Sequence, residues 1–114
     1  MSAITTHVLD TARGRPAADV PVVLETRVDS DRWQRVGAGR TDADGRLRTL
    51  MTADAPLIPA VYRLTFDTSA YFGASGTQTL YPSVVIVFET QPGQSHYHVP
   101  LLVAPFGYST YRGS

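Results

Sequence analysis

With 114 residues, 43% of them apolar, the chain is long enough to bury one hydrophobic core and too apolar to be disordered. Its ten basic residues, all arginine, balance ten acidic ones, so it lacks the charge excess that binds nucleic acid or membrane surfaces. It contains no cysteine and no apolar run of about 20 residues, which excludes thiol chemistry, disulfides and a membrane-spanning helix.

A hydrophobic alternation with a period of two dominates the first half of the chain and is typical of β-strands. The segments with this pattern are residues 4–9, 20–28, 32–39 and 46–50. Gly14 and Pro16 indicate a turn after the first segment. The pair Asp44-Gly45 predicts a tight reversal before the fourth segment, because glycine accepts the positive φ that such a turn needs.

The second half of the chain continues the strand pattern and adds one helix. Residues 52–59 contain two prolines and predict a loop, and Asp67-Thr68-Ser69 offers an N-cap for a short helix that ends near Gly73 or Gly76. The further predicted strands are 60–67, 83–89, 96–103 with an interruption at Pro100, and 107–112. About eight short strands, one short helix and many turns indicate an all-β sandwich of two sheets, formed as a single domain over residues 1–114.

Three histidines are the first candidates for chemistry, because the imidazole pKa of about 6.5 suits proton transfer near neutral pH. His7 lies within the first strand, whereas His96 and His98 are two residues apart and therefore share one face of a strand. Each of them can instead be an ordinary surface or core histidine. A zinc site made by all three is a further alternative, although no carboxylate lies close in sequence to support the ligands.

Arg46 and the closing residues 109–114 are the other candidates. Arg46 follows the Asp-Gly turn, and its planar guanidinium suits an anionic or imide-like substrate unless it is simply a solvated surface arginine. The closing segment is dense in tyrosine, arginine and serine and can either fray or line a polar pocket. No glycine-rich phosphate loop and no GxSxG motif is present.

Four segments, in order along the chain, resemble the 5-hydroxyisourate hydrolases, a family of transthyretin-like proteins. They are TTHVLDT at 5–11, TDADGR at 41–46, YRLTFDTSAYF at 62–72 and HYHVPLLVAPFGYSTYRGS at 96–114. The final YRGS is the most specific segment, because it separates these hydrolases from the hormone-carrying transthyretins. Residues 48–59 match least well.

The resemblance implies a transthyretin-like fold and a set of site residues. The catalytic residues that it implies are His7, His98 and Arg46, of which His7 and Arg46 also bind the substrate. His96 falls outside this set and is expected to be structural or to orient a neighbour. The closing tetrapeptide corresponds to substrate-binding Tyr111, Arg112, Gly113 and Ser114.

The implied activity is hydrolysis of 5-hydroxyisourate to 2-oxo-4-hydroxy-4-carboxy-5-ureidoimidazoline in urate catabolism, without metal or cofactor. The implied assembly is a homotetramer, a dimer of dimers with its sites at the dimer–dimer interface. We expect a cytoplasmic location. The alternatives left open are a transthyretin-like small-ligand carrier without catalysis, a zinc hydrolase and a structural adhesive domain.

Overall fold

The computed structural model describes residues 2–114. In this part of the chain there are ten strands and one helix. In chain order they are β1 (Ile4–Asp10), β2 (Arg15–Pro16), β3 (Pro21–Asp29), β4 (Arg32–Arg40), β5 (Arg46–Leu47), β6 (Val61–Phe66), α1 (Thr68–Ala74), β7 (Val84–Glu89), β8 (Tyr97–His98), β9 (Leu101–Ala104) and β10 (Gly107–Thr110).

Strand β1 is the centre of the first sheet, which contains six strands. The short strands β2 and β5 pair with it in antiparallel orientation, whereas β8 and β9 pair with it in parallel orientation, and β10 pairs with β9. Strand β1 is thereby paired with β5, about 40 residues later in the sequence, and with β8, about 90 residues later. The second sheet has the antiparallel order β4-β3-β6-β7.

The core lies between the two sheets. The alternate residues Ile4 and Val8 of β1 face Leu24 and Phe66 of the second sheet, and all four are fully buried. Burying a side chain of this size stabilises a fold by about 1.5–3 kcal/mol relative to leaving it exposed. The other face of the first sheet, which we call the outer face, is therefore free to carry polar residues.

The short helix packs beside the sandwich and is capped as the sequence predicts. The carboxylate of Asp67 accepts a hydrogen bond from the backbone N–H of Ala70 at 2.9 Å. The helix ends at Ala74, between the two glycines expected to end it, and Gly76 follows with a φ of +69°. None of the helical segments in residues 2–114 is long and apolar enough to cross a membrane.

The two-sheet architecture is confirmed, and the strand boundaries differ in two places. The predicted strand 46–50 stops at Leu47, because Leu50 turns into the core and the carbonyl of Arg48 accepts from the backbone of Ser2 instead. The predicted strand 96–103 is divided into β8 and β9 around Pro100, which has no N–H for a ladder bond. This division, together with β2, raises the count from eight to ten.

Candidate active site

Three neighbouring strands, β5, β1 and β8, carry the candidate site on the outer face of the first sheet. On β1, Ile4, Thr6 and Val8 are fully buried, so the alternate residues Thr5 and His7 point to the opposite face. This alternation places the histidine where a ligand can reach it. The core contacts of the neighbouring residues hold its backbone in place.

Arg46 lies directly opposite His7 in the antiparallel pair of β1 and β5. Residues that are opposed in this way project from the same face, with Cβ atoms about 4.5–5.5 Å apart. The sheet register therefore brings together two of the residues that the sequence singled out.

The turn before Arg46 fixes its position. The carboxylate of Asp42 accepts hydrogen bonds from the backbone N–H groups of Arg46 and Asp44, at 3.0 and 2.9 Å. The bond from Arg46 is the main reason that the pKa of Asp42 is lowered. Gly45 has a φ of +77°, and a Cβ atom at this position would lie 2.4 Å from the carbonyl oxygen of Val8. Only glycine therefore fits this turn without displacing β1.

His98 reaches the same face from β8, where it is the parallel register partner of Thr5. Its Nδ1 lies 2.8 Å from the Thr5 hydroxyl, and Nε2 of His96 lies 3.2 Å from the same oxygen. Because Nδ1 is occupied by Thr5, Nε2 is the nitrogen of His98 that remains available to a ligand or a water molecule.

The surroundings of His98 favour its neutral form. Burial is the main cause that lowers its pKa, and electrostatic interactions with His7, Arg46 and His96 lower it further, against a smaller opposing effect of a hydrogen bond with the Thr5 backbone. A histidine whose pKa lies below its ordinary value of about 6.5 is unprotonated at neutral pH. His98 is therefore ready to accept a proton.

His7 has a different hydrogen-bonding state. Its Nε2 lies 2.9 Å from the backbone carbonyl oxygen of Asp44. A carbonyl oxygen only accepts, so Nε2 of His7 carries a proton and donates it. Neutral His7 therefore has its lone pair on Nδ1, and the turn that positions Arg46 also orients the His7 ring.

The closing segment passes over β8 and holds it in place. The N–H of Gly113 donates to the carbonyl of His98 at 2.7 Å, and a Cβ atom on Gly113 would lie 2.6 Å from Cδ2 of the His98 ring. The guanidinium of Arg112 donates to the carbonyl of His96 at 3.2 Å and lies over the ring of Tyr97. These two residues contact the histidine segment from outside.

Tyr111 lies apart from the other candidates. It is 59% exposed and lines a separate groove of about 280 Å³ with Phe88 of β7 and Tyr97 of β8. Within a single chain, the structure does not bring Tyr111 next to His98 and Arg46. Its predicted contact with substrate stays a prediction.

A polar pocket of about 180 Å³ lies beside Arg46 and His98, and His7 is not among its lining residues. Its lining consists of Thr5, Thr6, Arg46, Arg48, His96, His98 and Ser114. Within residues 2–114, no carboxylate lies within ion-pair distance of Arg46 or Arg48. The two guanidinium groups act on the Asp42 carboxylate from beyond ion-pair distance, and their donors suit a small substrate with carbonyl or anionic oxygens.

Sequence reasoning missed three residues of this pocket, Thr5, Thr6 and Arg48. Thr5 and Arg48 follow from the period of two, because Thr5 is two residues before His7 and Arg48 is two residues after Arg46. Thr6 does not, because it alternates with them and lies on the buried side of β1. The histidines are not arranged as metal ligands: among residues 2–114, no group of three His, Cys, Asp or Glu side chains is placed to hold a metal ion.

Comparison with known proteins identifies relatives of this chain in sequence and in fold. The family model described as HIUase/Transthyretin family matches residues 4–113. A 5-hydroxyisourate hydrolase of Caulobacter vibrioides is 48% identical over 118 residues, covering all of both chains. The structure of Klebsiella pneumoniae 5-hydroxyisourate hydrolase covers all of both chains with 38% identity and a TM-score of 0.86. Sea bream transthyretin in complex with thyroxine covers 97% of this chain and 94% of its own, with 32% identity and a TM-score of 0.88.

The fold and the site together define a transthyretin-like β-sandwich with a histidine- and arginine-lined pocket on one sheet. The chain belongs to the HIUase/Transthyretin family. The family resemblance expected from the four sequence segments is thereby confirmed.

Proposed function

We propose that this protein is an enzyme that hydrolyses 5-hydroxyisourate to 2-oxo-4-hydroxy-4-carboxy-5-ureidoimidazoline in urate catabolism. The observation that carries this proposal is the meeting of His98, His7 and Arg46 on one sheet face, next to Gly113 and Ser114 of the closing segment. The relatives named 5-hydroxyisourate hydrolase, which match over the full chain, support the same substrate.

His98 is the proposed general base. Hydrolysis adds water to a ring carbonyl and then breaks the bond from that carbonyl carbon to the ring nitrogen, so it requires a group that takes a proton from the water and returns one to the departing nitrogen. Nε2 of His98 is suited to take the proton from the water, because burial and the neighbouring charges keep the ring neutral at pH 7. A positioned base of this kind contributes about 10²–10⁴-fold to the rate.

Arg46 is the proposed electrostatic partner. As the carbonyl carbon becomes tetrahedral, negative charge develops on its oxygen, and a fixed guanidinium group stabilises that charge more than it stabilises the ground state. Arg48 lines the same pocket and supplies a second positive charge. No metal or cofactor is required by this scheme.

His7 is proposed to bind and orient the substrate beside Arg46. Its Nε2–H is used by the carbonyl of Asp44, so Nδ1 is left to accept a hydrogen bond from a substrate N–H or O–H group. This arrangement supports different roles for the two histidines, with His98 as the base and His7 as a binding residue.

The proposed assembly is a homotetramer, a dimer of dimers with the pockets facing one another between dimers. Two observations support it: the pocket lies on the open outer face of the sheet, and apolar side chains such as Phe106 and Leu80 are 66% and 62% exposed in the single chain. Two-fold symmetry would place a second set of histidines and arginines against the first. The proposed location of the enzyme is the cytoplasm.

A non-catalytic small-ligand carrier is the second candidate, because a transthyretin in complex with thyroxine shares the fold. The pocket of about 180 Å³ is smaller than the roughly 300 Å³ or more that a drug-sized ligand needs, and its lining is charged. These properties of the single-chain pocket favour a small polar substrate over a drug-sized apolar ligand.

The direct test is to generate 5-hydroxyisourate from urate and uricase and to follow its ultraviolet decay with and without this protein. The proposal predicts decay faster than the spontaneous rate, unchanged by a chelator. Decay at the spontaneous rate with micromolar protein would refute the enzyme proposal, and thyroxine binding in the same sample would favour the carrier. Loss of activity with chelator would instead indicate a metal-dependent hydrolase.

A further inference from the structure

The hydroxyl group of Thr5 lies between two histidine rings. It is 2.8 Å from Nδ1 of His98 and 3.2 Å from Nε2 of His96, and Thr5 as a whole is only 3% exposed. Because so little of Thr5 contacts solvent, the two ring nitrogens are the main partners of its hydroxyl. The state of one ring therefore affects the other through a single oxygen atom.

Counting protons leaves two arrangements for neutral rings. A hydroxyl has one proton to donate, so it donates to one ring and accepts from the other. In the first arrangement, Nδ1–H of His98 donates to Thr5, and Thr5 donates to Nε2 of His96. Nε2 of His98 then has a lone pair and can act as a base.

The second arrangement reverses both hydrogen bonds. Nε2–H of His96 donates to Thr5, and Thr5 donates to Nδ1 of His98. Neutral His98 then carries its proton on Nε2, so it can donate a hydrogen bond to a ligand but can no longer take a proton from water there. The direction of one hydroxyl group thus separates the base form of His98 from its donor form.

The other groups around His98 make a hydroxyl suitable for this task. Enzymes often orient a histidine with a carboxylate, which also raises its pKa. Here the neighbouring charged or titratable groups are His7 on β1, Arg46 on β5 and His96 beside β8, all of which disfavour a cation at His98. A neutral hydroxyl orients the ring without adding a negative charge beside it. A hydrogen bond with the backbone of Thr5 raises the pKa of His98, but burial and the three neighbouring groups outweigh it.

In the hydrogen-bonded series His98–Thr5–His96, His96 is the member that also lies beside a second opening to solvent. Besides the substrate pocket, it lines a second cleft of about 560 Å³ bordered by residues 53–57 and 93–96. His96 can therefore exchange protons with water when a substrate fills the first pocket.

We propose that Thr5 is a positioning residue whose hydroxyl holds His98 in the Nδ1–H tautomer, with His96 setting the direction of the hydroxyl. A neutral His96 with a free Nε2 accepts the Thr5 proton and keeps His98 as a base. A proton on Nε2 of His96 reverses the hydroxyl and removes the base form. The base role of His98 rests on the proposed function, whereas the tautomer assignment does not.

Two substitutions of Thr5 isolate the hydroxyl group. Thr5→Val keeps the branched shape and removes the hydroxyl, and Thr5→Ser keeps the hydroxyl and removes a methyl group. The first measurement is the ¹⁵N chemical shift of the His98 ring nitrogens by NMR at pH 7.5. We expect the Nδ1–H pattern in the wild type and in Thr5→Ser, and a loss of that preference in Thr5→Val.

The second measurement separates kcat from KM for 5-hydroxyisourate. In a serine protease, a histidine held in the wrong tautomer lowers kcat by about 10⁴-fold. Thr5→Val removes only a neutral hydroxyl group, so we expect kcat to fall less, by about 10- to 10²-fold, with KM little changed. Thr5→Ser should restore most of the loss. His96→Phe provides a variant that leaves β1 intact, and it should also weaken the Nδ1–H preference of His98.

The outcomes are separable. An unchanged Nδ1–H pattern of His98 in Thr5→Val, or in His96→Phe if Thr5→Val does not fold, would overturn the proposal. Equal losses of kcat in Thr5→Val and Thr5→Ser would also overturn it. A wild-type protein without turnover whose tautomer still changes in Thr5→Val would refute the proposed function and support the positioning role.

Discussion

At the scale of single residues, the site depends on how closely backbone and ring approach each other. The His98 ring packs on the backbone of Gly113, and its Nδ1 contacts Thr5. Its position is therefore fixed from two sides before any substrate arrives. Such preorganisation matters because an error of about 1 Å in a catalytic group can cost 10²-fold in rate.

Gly113→Ala tests this packing. The added Cβ would lie 2.6 Å from Cδ2 of His98, so either the ring or the closing segment must move. We expect kcat/KM to fall by about 10²-fold while the melting temperature changes little, since the segment lies at the surface. Gly73→Ala is the matched control, because a Cβ atom there meets nothing within 4 Å and activity should stay at the wild-type value.

The lowered pKa of His98 predicts a pH dependence. The base form is lost when the pH falls through the folded-state pKa, so kcat/KM should decline on the acid side at a pH below 6.5. The unfolded chain binds the His98 proton more tightly than the folded protein does. The free energy of unfolding should therefore fall as the pH drops below about 6.5, whereas His98 has no such effect above that pH.

The substitution Arg46→Gln tests the electrostatic cause of the lowered His98 pKa, which is measured by NMR titration of the His98 ring. Removing a neighbouring positive charge should raise the pKa of His98 towards its ordinary value. The same substitution at Arg40, which pairs with Asp19 on the surface, should leave that pKa unchanged. A pKa of His98 that is unaffected by Arg46→Gln would contradict the electrostatic account.

At the scale of elements, β1 connects the parts of the site to the rest of the fold. Its last residue, Asp10, is 1% exposed and accepts hydrogen bonds from the N–H groups of Ala12 and Arg13 and from the hydroxyl of Tyr71 on α1, the last at 2.7 Å. The pKa of Tyr71 is raised to about 12 by burial and by this carboxylate, so the hydroxyl remains a donor at neutral pH. The helix thereby anchors the end of the strand that carries His7.

Tyr71→Phe should destabilise the protein by about 1–3 kcal/mol, because the buried carboxylate loses a partner that water cannot fully replace. The measurement is the urea midpoint at pH 7, which should fall without a change in slope. Tyr108→Phe, at a residue that is 43% exposed, is the control and should have a much smaller effect. Equal midpoints for Tyr71→Phe and the wild type would contradict the anchoring role of Asp10.

Local sequence patterns predict most of these elements. Alternation, β-branched content and apolar runs predicted the strands of four residues or more, and Asp67 and Asp44-Gly45 marked the helix start and the turn correctly. The two-residue strands β2 and β8 were not resolved as separate elements, because a pair of ladder bonds leaves no periodic pattern. The reach of β5 was overestimated, since β-propensity at 46–50 does not reveal that Leu50 is drawn into the core.

The candidate site is predictable only in part for a related reason. His7, Arg46 and His98 are identified by motif, but their meeting depends on pairing between strands that are distant in sequence. Thr5 is an ordinary strand threonine until that pairing places it between two histidines. Tyr111 shares a motif with Gly113, and yet its side chain lies in another groove of the same chain.

At the scale of the whole molecule, the pocket opens on a sheet face that a single chain leaves uncovered. The proposed tetramer would cover it, exclude bulk water and bring in a second set of charged side chains. Light scattering after size exclusion should give a mass of four chains at micromolar concentration. A stable monomer with full activity on dilution would contradict the proposed assembly and leave the pocket of one chain sufficient.

The central claim is that this pocket hydrolyses 5-hydroxyisourate with His98 as the base and Arg46 as the electrostatic partner. The most direct test compares the enzymatic decay of 5-hydroxyisourate for the wild type, His98→Asn, Arg46→Ala and the surface control Arg40→Ala. We predict that His98→Asn lowers kcat by about 10²–10⁴-fold, that Arg46→Ala also causes a large loss, and that Arg40→Ala has no effect. Wild-type turnover in folded His98→Asn would contradict the claim.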